Sequence, residues 1–295
     1  TLLFLTITSI NDVWFLMILL FIRMSAASMF FSTEMSLLPK LIHGEALQKA
    51  NEIHSIIWSF TYSAGMAISG VVVTLWGTKV AFVIDASFFI LALIAFIPLH
   101  LNVEFHEAQD KILAMIKEGF VYIKNNKIIM HLIFLHSCVG LTAFDTLVTL
   151  LADFQYKYII AVPLAIGISN AVRAFALMIG PFFVGNWVNK DNLTYLLIFQ
   201  GFSIISWALL QFDFYFALIG LFLTGFATTT LWSYTYALLQ KRVESKYLGR
   251  VIAYNDMIFM LTNVGTTMFI GLMASLISLD IITVIIGCAF FLMAF

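Results

Sequence analysis

LLQKRVESKYLGRVIAYND (238–256) is a short basic loop set between two long apolar runs, 214–239 before it and 248–276 after it. Each run exceeds the roughly 20 apolar residues that a helix needs to cross a bilayer. The same arrangement stands 201 residues earlier, in SLLPKLIHGEALQKANEI (36–53). At that offset Leu37, Leu38, Lys40, Leu47 and Gly70 fall on Leu238, Leu239, Lys241, Leu248 and Gly271. Lys49 falls on Arg250 and Ile42 on Val243. Leucine matches are cheap in an apolar chain, so the weight lies elsewhere. Helix ends and basic loops coincide together, which predicts two copies of one multi-helix unit running in the same direction.

Composition agrees. Hydrophobic residues make up 62% of the 295 residues and charged residues only 11%. A soluble domain carries about 25% charged residues, so much of this surface must face lipid. The net charge of -1 argues against a nucleic-acid partner. Ten apolar runs follow one another: 1–10 (partial), 13–38, 50–76, 79–99, 128–155, 161–186, 193–211, 214–239, 248–276 and 279–295. They are too long for barrel strands and lack a period of 2. Backbone in lipid must pair internally, so these runs are expected to be α-helices of an all-α polytopic membrane protein. Cys138 and Cys288 both fall inside apolar runs, where an unpaired buried thiol is expected.

Most connections are short, but 100–127 is polar. Within it Ile112, Ile116, Phe120 and Ile123 recur at helical spacing, which predicts an amphipathic helix on the membrane surface. The expected organisation is 1–99 as the first half, 100–127 as linker and 128–295 as the second half. Eleven Lys and Arg residues fall on one set of loops and only Lys79 and Lys157 on the other. That bias predicts that loops 39–49, 100–127, 187–192 and 240–250 are cytoplasmic. Shifted back by the repeat offset, run 193–211 would begin before Thr1. The expectation is therefore a twelve-helix parent from which about two and a half helices, roughly 75 residues, are missing at the start.

Several stretches resemble the major facilitator superfamily, and within it the bacterial exporters of the enterobactin and macrolide efflux kind. They are SLLPKLIHGEALQKANEI (36–53), AFVIDASFFILALI (81–94), IKEGFVYIKNNKIIMHLI (116–133) and LLQKRVESKYLGRVIAYND (238–256). The first and last are similar to that family's segments joining helices 4 to 5 and 10 to 11, the second to its helix 6, the third to its linker entering helix 7. Departures are visible. GNWVNKDN (185–192) keeps only Gly185 and one basic residue of the family's loop signature. GMAISG (65–70) stands where the antiporter signature G-P-x-x-G-G would, with Met66 for Pro and Ser69 for Gly. The resemblance implies two six-helix halves around a central cavity lined by helices 1, 4, 7 and 10, in a bacterial inner membrane.

Ionisable residues inside apolar runs are costly, and so are candidates for function. Arg23 lies mid-run in 13–38, and Glu34 returns to the same helical face about 16 Å nearer the cytoplasm. Together they could hold an anionic group or relay a proton. The competing reading is an interfacial Glu34 and an Arg23 bonded to a neighbouring helix. Asp145, with His131 at helical spacing before it, is the candidate proton carrier. Its competing reading is a fixed pair with Arg173. His136 is expected to pack, Asp85 to make a structural hydrogen bond, and Asp256 to cap the run that follows it. Trp232 and Tyr236 share a face at i, i+4 and suit an amphipathic, partly aromatic substrate. Gly65, Gly70 and Gly271 are expected to allow close helix approach.

The leading expectation is a secondary transporter, monomeric in its bilayer, that exports a small amphipathic compound such as a drug or siderophore against protons, without a cofactor or metal. A lysophospholipid or other lipid transporter of the same fold is the alternative. A non-transporting membrane sensor or scaffold is the reading from another class. The chain has no HExxH, GxSxG or GxxxxGK[ST], so neither an enzyme nor an ATP-driven pump is expected.

Overall fold

A computed structural model describes residues 2–7, 9, 12–41, 45–98, 112–185 and 187–294, with the side chains of 2, 31–41, 45–56, 59, 112, 113 and 245 outside the description. The described chain is mostly helical. Ten α-helices run α1 (Val13–Leu41), α2 (Glu45–Phe96), α3 (Ile112–Asn125), α4 (Lys127–Ser137), α5 (Asp145–Leu151), α6 (Val162–Val184), α7 (Leu193–Leu210), α8 (Phe214–Arg242), α9 (Ser245–Met273) and α10 (Leu279–Ala294). Seven stretches are long and apolar enough to cross a membrane, and Phe60–Phe96 among them covers 37 residues. α2 is two expected runs in series, divided at Gly77, whose φ of 80° and ψ of 169° lie where only glycine is unstrained. The protein is thus a multi-pass helical membrane protein.

The chain forms two compact units. The first holds Thr1–Trp58 and Ile68–Glu107, the second Ser59–Ala67 and Ala108–Phe295. In the first, apolar side chains of α1 stand open, Trp14 at 72% and Phe21 at 75%. Water does not tolerate such a surface, whereas lipid does. The partial run at the start is no α-helix here. Leu2–Thr6 forms a 3-10 turn, and Phe4 stacks on Phe82 at 5.0 Å.

The second unit packs by glycine. A Cβ at Gly180 would fall inside the van der Waals shell of the Phe226 carbonyl, and one at Gly225 would lie 2.6 Å from the Arg173 carbonyl. These two contacts bring α6 and α8 backbone to backbone. Gly201 and Gly287 do the same for α7 and α10, each facing the other's carbonyl. The expected packing glycines differ. Among the described residues outside the glycine's own helix backbone, no atom lies within 4 Å of a Cβ placed at Gly65 or Gly271. Gly70 is buried. Cys138 is buried as expected, but Cys288 is exposed.

Two further departures matter for the site. The expected run 128–155 is not one helix. After α4 the backbone tightens into a 3-10 turn over Cys138–Thr142, opens at Ala143 (φ −71°, ψ 68°), resumes as α5 and loosens into a π turn over Ala152–Tyr156. Gly140 explains where it tightens, since its Cα faces the Phe259 carbonyl and Thr262 of α9 too closely for any side chain. Next, α9 begins at Ser245, so Asp256 lies in its interior and caps nothing. α8 does have a side-chain cap, where Asp213 accepts from the Tyr215 and Phe216 amides.

Candidate functional site

Among the described residues, three of the polar groups within the apolar spans hold the expected site residues. In the first unit, Arg23 of α1 donates to the Asp85 carboxylate of α2 at 3.1 Å, and its guanidinium lies 6.0 Å from the Phe89 ring centre. Both side chains are 37% exposed. Charge complementarity across helices accounts for the pair, since either charge alone in a span costs about 2.5–3.5 kcal/mol. The partner of Arg23 is therefore Asp85. Glu34 lies on the same uninterrupted helix, but its side chain is outside the described residues. Arg23→Met is expected to lower stability by about 2.5–3.5 kcal/mol by stranding Asp85. Adding Asp85→Met should restore most of it, as read from survival on heating in detergent. A double variant as unstable as the single would rule the pairing out.

The second group forms at the helix break. Because the 3-10 turn ends at Thr142, its carbonyl is not held in an α-helical ladder. It accepts from the Phe144 amide at 2.8 Å and from Arg173 Nη2 at 2.7 Å. Arg173 also reaches Thr142 Oγ1 at 3.3 Å and lies over the Phe144 ring at 5.1 Å. It is 7% exposed, and its Nε has no hydrogen-bond partner. The fixed Asp145–Arg173 pair is not formed, because the guanidinium is committed to Thr142. Asp145, at the start of α5, is exposed. Tyr62 stands within electrostatic reach of both Asp145 and Arg173. Its neighbour Ser63 bonds the Ala171 carbonyl at 3.1 Å. His131 is exposed, and the break removes the continuous helical phase that would have aligned it with Asp145.

The third group lies among α4, α8 and α9. His136 is fully buried, with Nδ1 2.9 Å from Thr235 Oγ1. Trp232 and Tyr236 stack on each other at 5.0 Å, and His136 meets both rings and Phe259 at 5.6–5.8 Å. Nε2 of His136 has no partner. Trp232 remains 40% exposed, so the group opens on one side. Helical spacing in the sequence put Trp232 and Tyr236 on one face, where their rings meet. It did not find Thr142 or Tyr62, whose roles depend on contacts between elements.

The family model of the Major Facilitator Superfamily matches residues 1–190. This chain belongs to the Major Facilitator Superfamily. It is therefore a member of a family of membrane transporters, embedded in a bilayer and acting on a small-molecule substrate. Macrolide efflux protein A of Enterococcus faecalis is similar to it, 23% identical over 258 residues, covering 84% of this chain and 79% of that protein.

Proposed function

We propose that this superfamily member exports a small amphipathic compound in exchange for protons. The observation that carries the reading is Asp145, an exposed carboxylate inside an apolar span, beside a helix break and in electrostatic reach of Tyr62 and Arg173. A carboxylate so placed changes charge only by taking or losing a proton, and Arg173, bonded to Thr142, does not neutralise it. Trp232 and Tyr236 offer a stacked aromatic surface to the substrate, with Trp232 open on one side. The direction of transport is taken from the similar efflux protein.

Transport follows from rocking of two six-helix halves divided by 100–127. The excess of Lys and Arg supports a cytoplasmic side for loops 39–49, 100–127, 187–192 and 240–250 in a bacterial cell. Arg23, with Asp85, and Glu34 belong to the pathway in the first half. The protein works as a monomer.

The test measures macrolide accumulation in cells expressing the full-length protein. Accumulation should fall at least about threefold and recover when an uncoupler collapses the proton gradient. Export that persists with the uncoupler overturns the proton part. Unchanged accumulation across a panel of macrolides and other amphipathic drugs overturns the substrate class.

A further inference from the structure

Asp256 is a carboxylate in the interior of spanning helix α9, which begins at Ser245. At 1.5 Å per residue it stands about 16 Å from that end. Trp232 stands about 15 Å from the end of α8 at Arg242, on the other side of the loop that joins the two helices. The two side chains therefore lie at nearly the same depth in the span. Helix α4 packs against both α8 and α9. From it His136 meets Trp232 at 5.8 Å, Tyr236 at 5.6 Å and Phe259 at 5.7 Å. Asp256 comes three residues before Phe259, one turn away on the same face of α9. Tyr236 lies within its electrostatic reach.

A charge inside a span calls for a partner. Asp85 has Arg23, and Glu118 has Arg250. Among the described residues no lysine or arginine pairs with Asp256. Its carboxylate accepts from the neighbouring Asn255 Nδ2 at 3.2 Å. Arg250, six residues earlier on α9, turns to a different face, where it is held by Glu118. The carboxylate is not sealed in. Asp256 is half-buried, and Trp232 at its level is 40% exposed.

We infer that Asp256 selects the charge of the substrate, and that the site takes an organic cation, an amphiphile carrying an amine or a quaternary centre. This rests on the reading of Trp232 and Tyr236 as the substrate surface. Their rings stack at 5.0 Å and 20°, and such faces attract a cation as well as an apolar body. The rings alone would accept any aromatic amphiphile. The carboxylate supplies the countercharge that favours a cation, leaves a neutral compound indifferent and repels an anion. Asp145, on a separate element, is left to carry the proton.

Tetraphenylphosphonium, whose charge is fixed, and its neutral counterpart triphenylphosphine oxide are the probes. Equilibrium dialysis against the full-length protein in detergent should show the cation bound at least about tenfold more tightly. Asp256→Asn should bring the two affinities within about twofold of each other, and Asp256→Glu should keep most of the preference. A second measurement uses the unaltered protein. Tetraphenylphosphonium should slow labelling of Asp256 by dicyclohexylcarbodiimide at least about threefold, mapped by peptide mass spectrometry, and triphenylphosphine oxide at the same concentration should not. Equal binding of the probes, a preference that survives Asp256→Asn, or labelling indifferent to the cation each overturns the inference. Export of triphenylphosphine oxide but not of tetraphenylphosphonium by expressing cells also overturns it and leaves the export reading standing. Cation binding that requires Asp256, without export of the cation, upholds the site and overturns export as its use.

Discussion

Asp145→Asn is expected to lower proton-driven export at least about tenfold while leaving the amount of folded protein unchanged. Asparagine keeps the size and hydrogen-bonding reach of the carboxylate but has no proton to load and release. The side chain is exposed and starts a short helix, so its replacement removes no buried contact. Asp145→Glu should recover part of the activity, because it restores titration on a longer stem. The measurement is uptake into everted vesicles energised by a pH gradient, compared with counterflow of substrate without one. Counterflow should survive in Asp145→Asn while gradient-driven uptake is lost. Gradient-driven uptake within twofold of the parent would remove Asp145 from the proton path.

Gly180→Val is expected to be among the most damaging single substitutions in the second unit. The backbones of α6 and α8 meet at this glycine, and the obstructing atom is a carbonyl oxygen rather than a side chain that can turn aside. Overpacking of this kind costs about 3 kcal/mol, which corresponds to roughly a 10 °C fall in melting temperature for a chain of this size. The damage should spread to the site, since Arg173 lies on α6 and its carbonyl faces Gly225 of α8. Gly65→Ala and Gly271→Ala serve as controls, because no described atom crowds either position. Both should stay within about 1 kcal/mol of the parent, alanine being the better helix former. Melting in detergent, followed by tryptophan fluorescence, reads all three. A Gly180→Val variant as stable as the Gly65→Ala control would refute the packing.

Much of the fold was legible because a bilayer leaves the backbone few choices. Runs 161–186, 193–211 and 214–239 correspond to Val162–Val184, Leu193–Leu210 and Phe214–Arg242, close to the bounds that hydropathy alone places. The divide between runs 50–76 and 79–99 was legible too, and it falls at Gly77 within α2. The site was less so. Run 128–155 contains no proline, and its break comes from Gly140 pressed against α9, a contact between residues far apart in sequence. Once the phase is lost there, extrapolation from His131 to Asp145 fails. Arg23 and Asp85 were each visible as costly charges, yet their pairing depends on which helices become neighbours.

The sequence by itself determined that this is a multi-spanning helical protein of the Major Facilitator Superfamily, with most of its spans at stated places. It could do so because hydropathy and helix length act within one segment at a time. Only the tertiary structure decided which glycines pack, where the expected run 128–155 breaks, and that Arg173 serves Thr142 and not Asp145. Those outcomes depend on contacts between segments, and a periodicity within one helix carries no information about the helix it will meet.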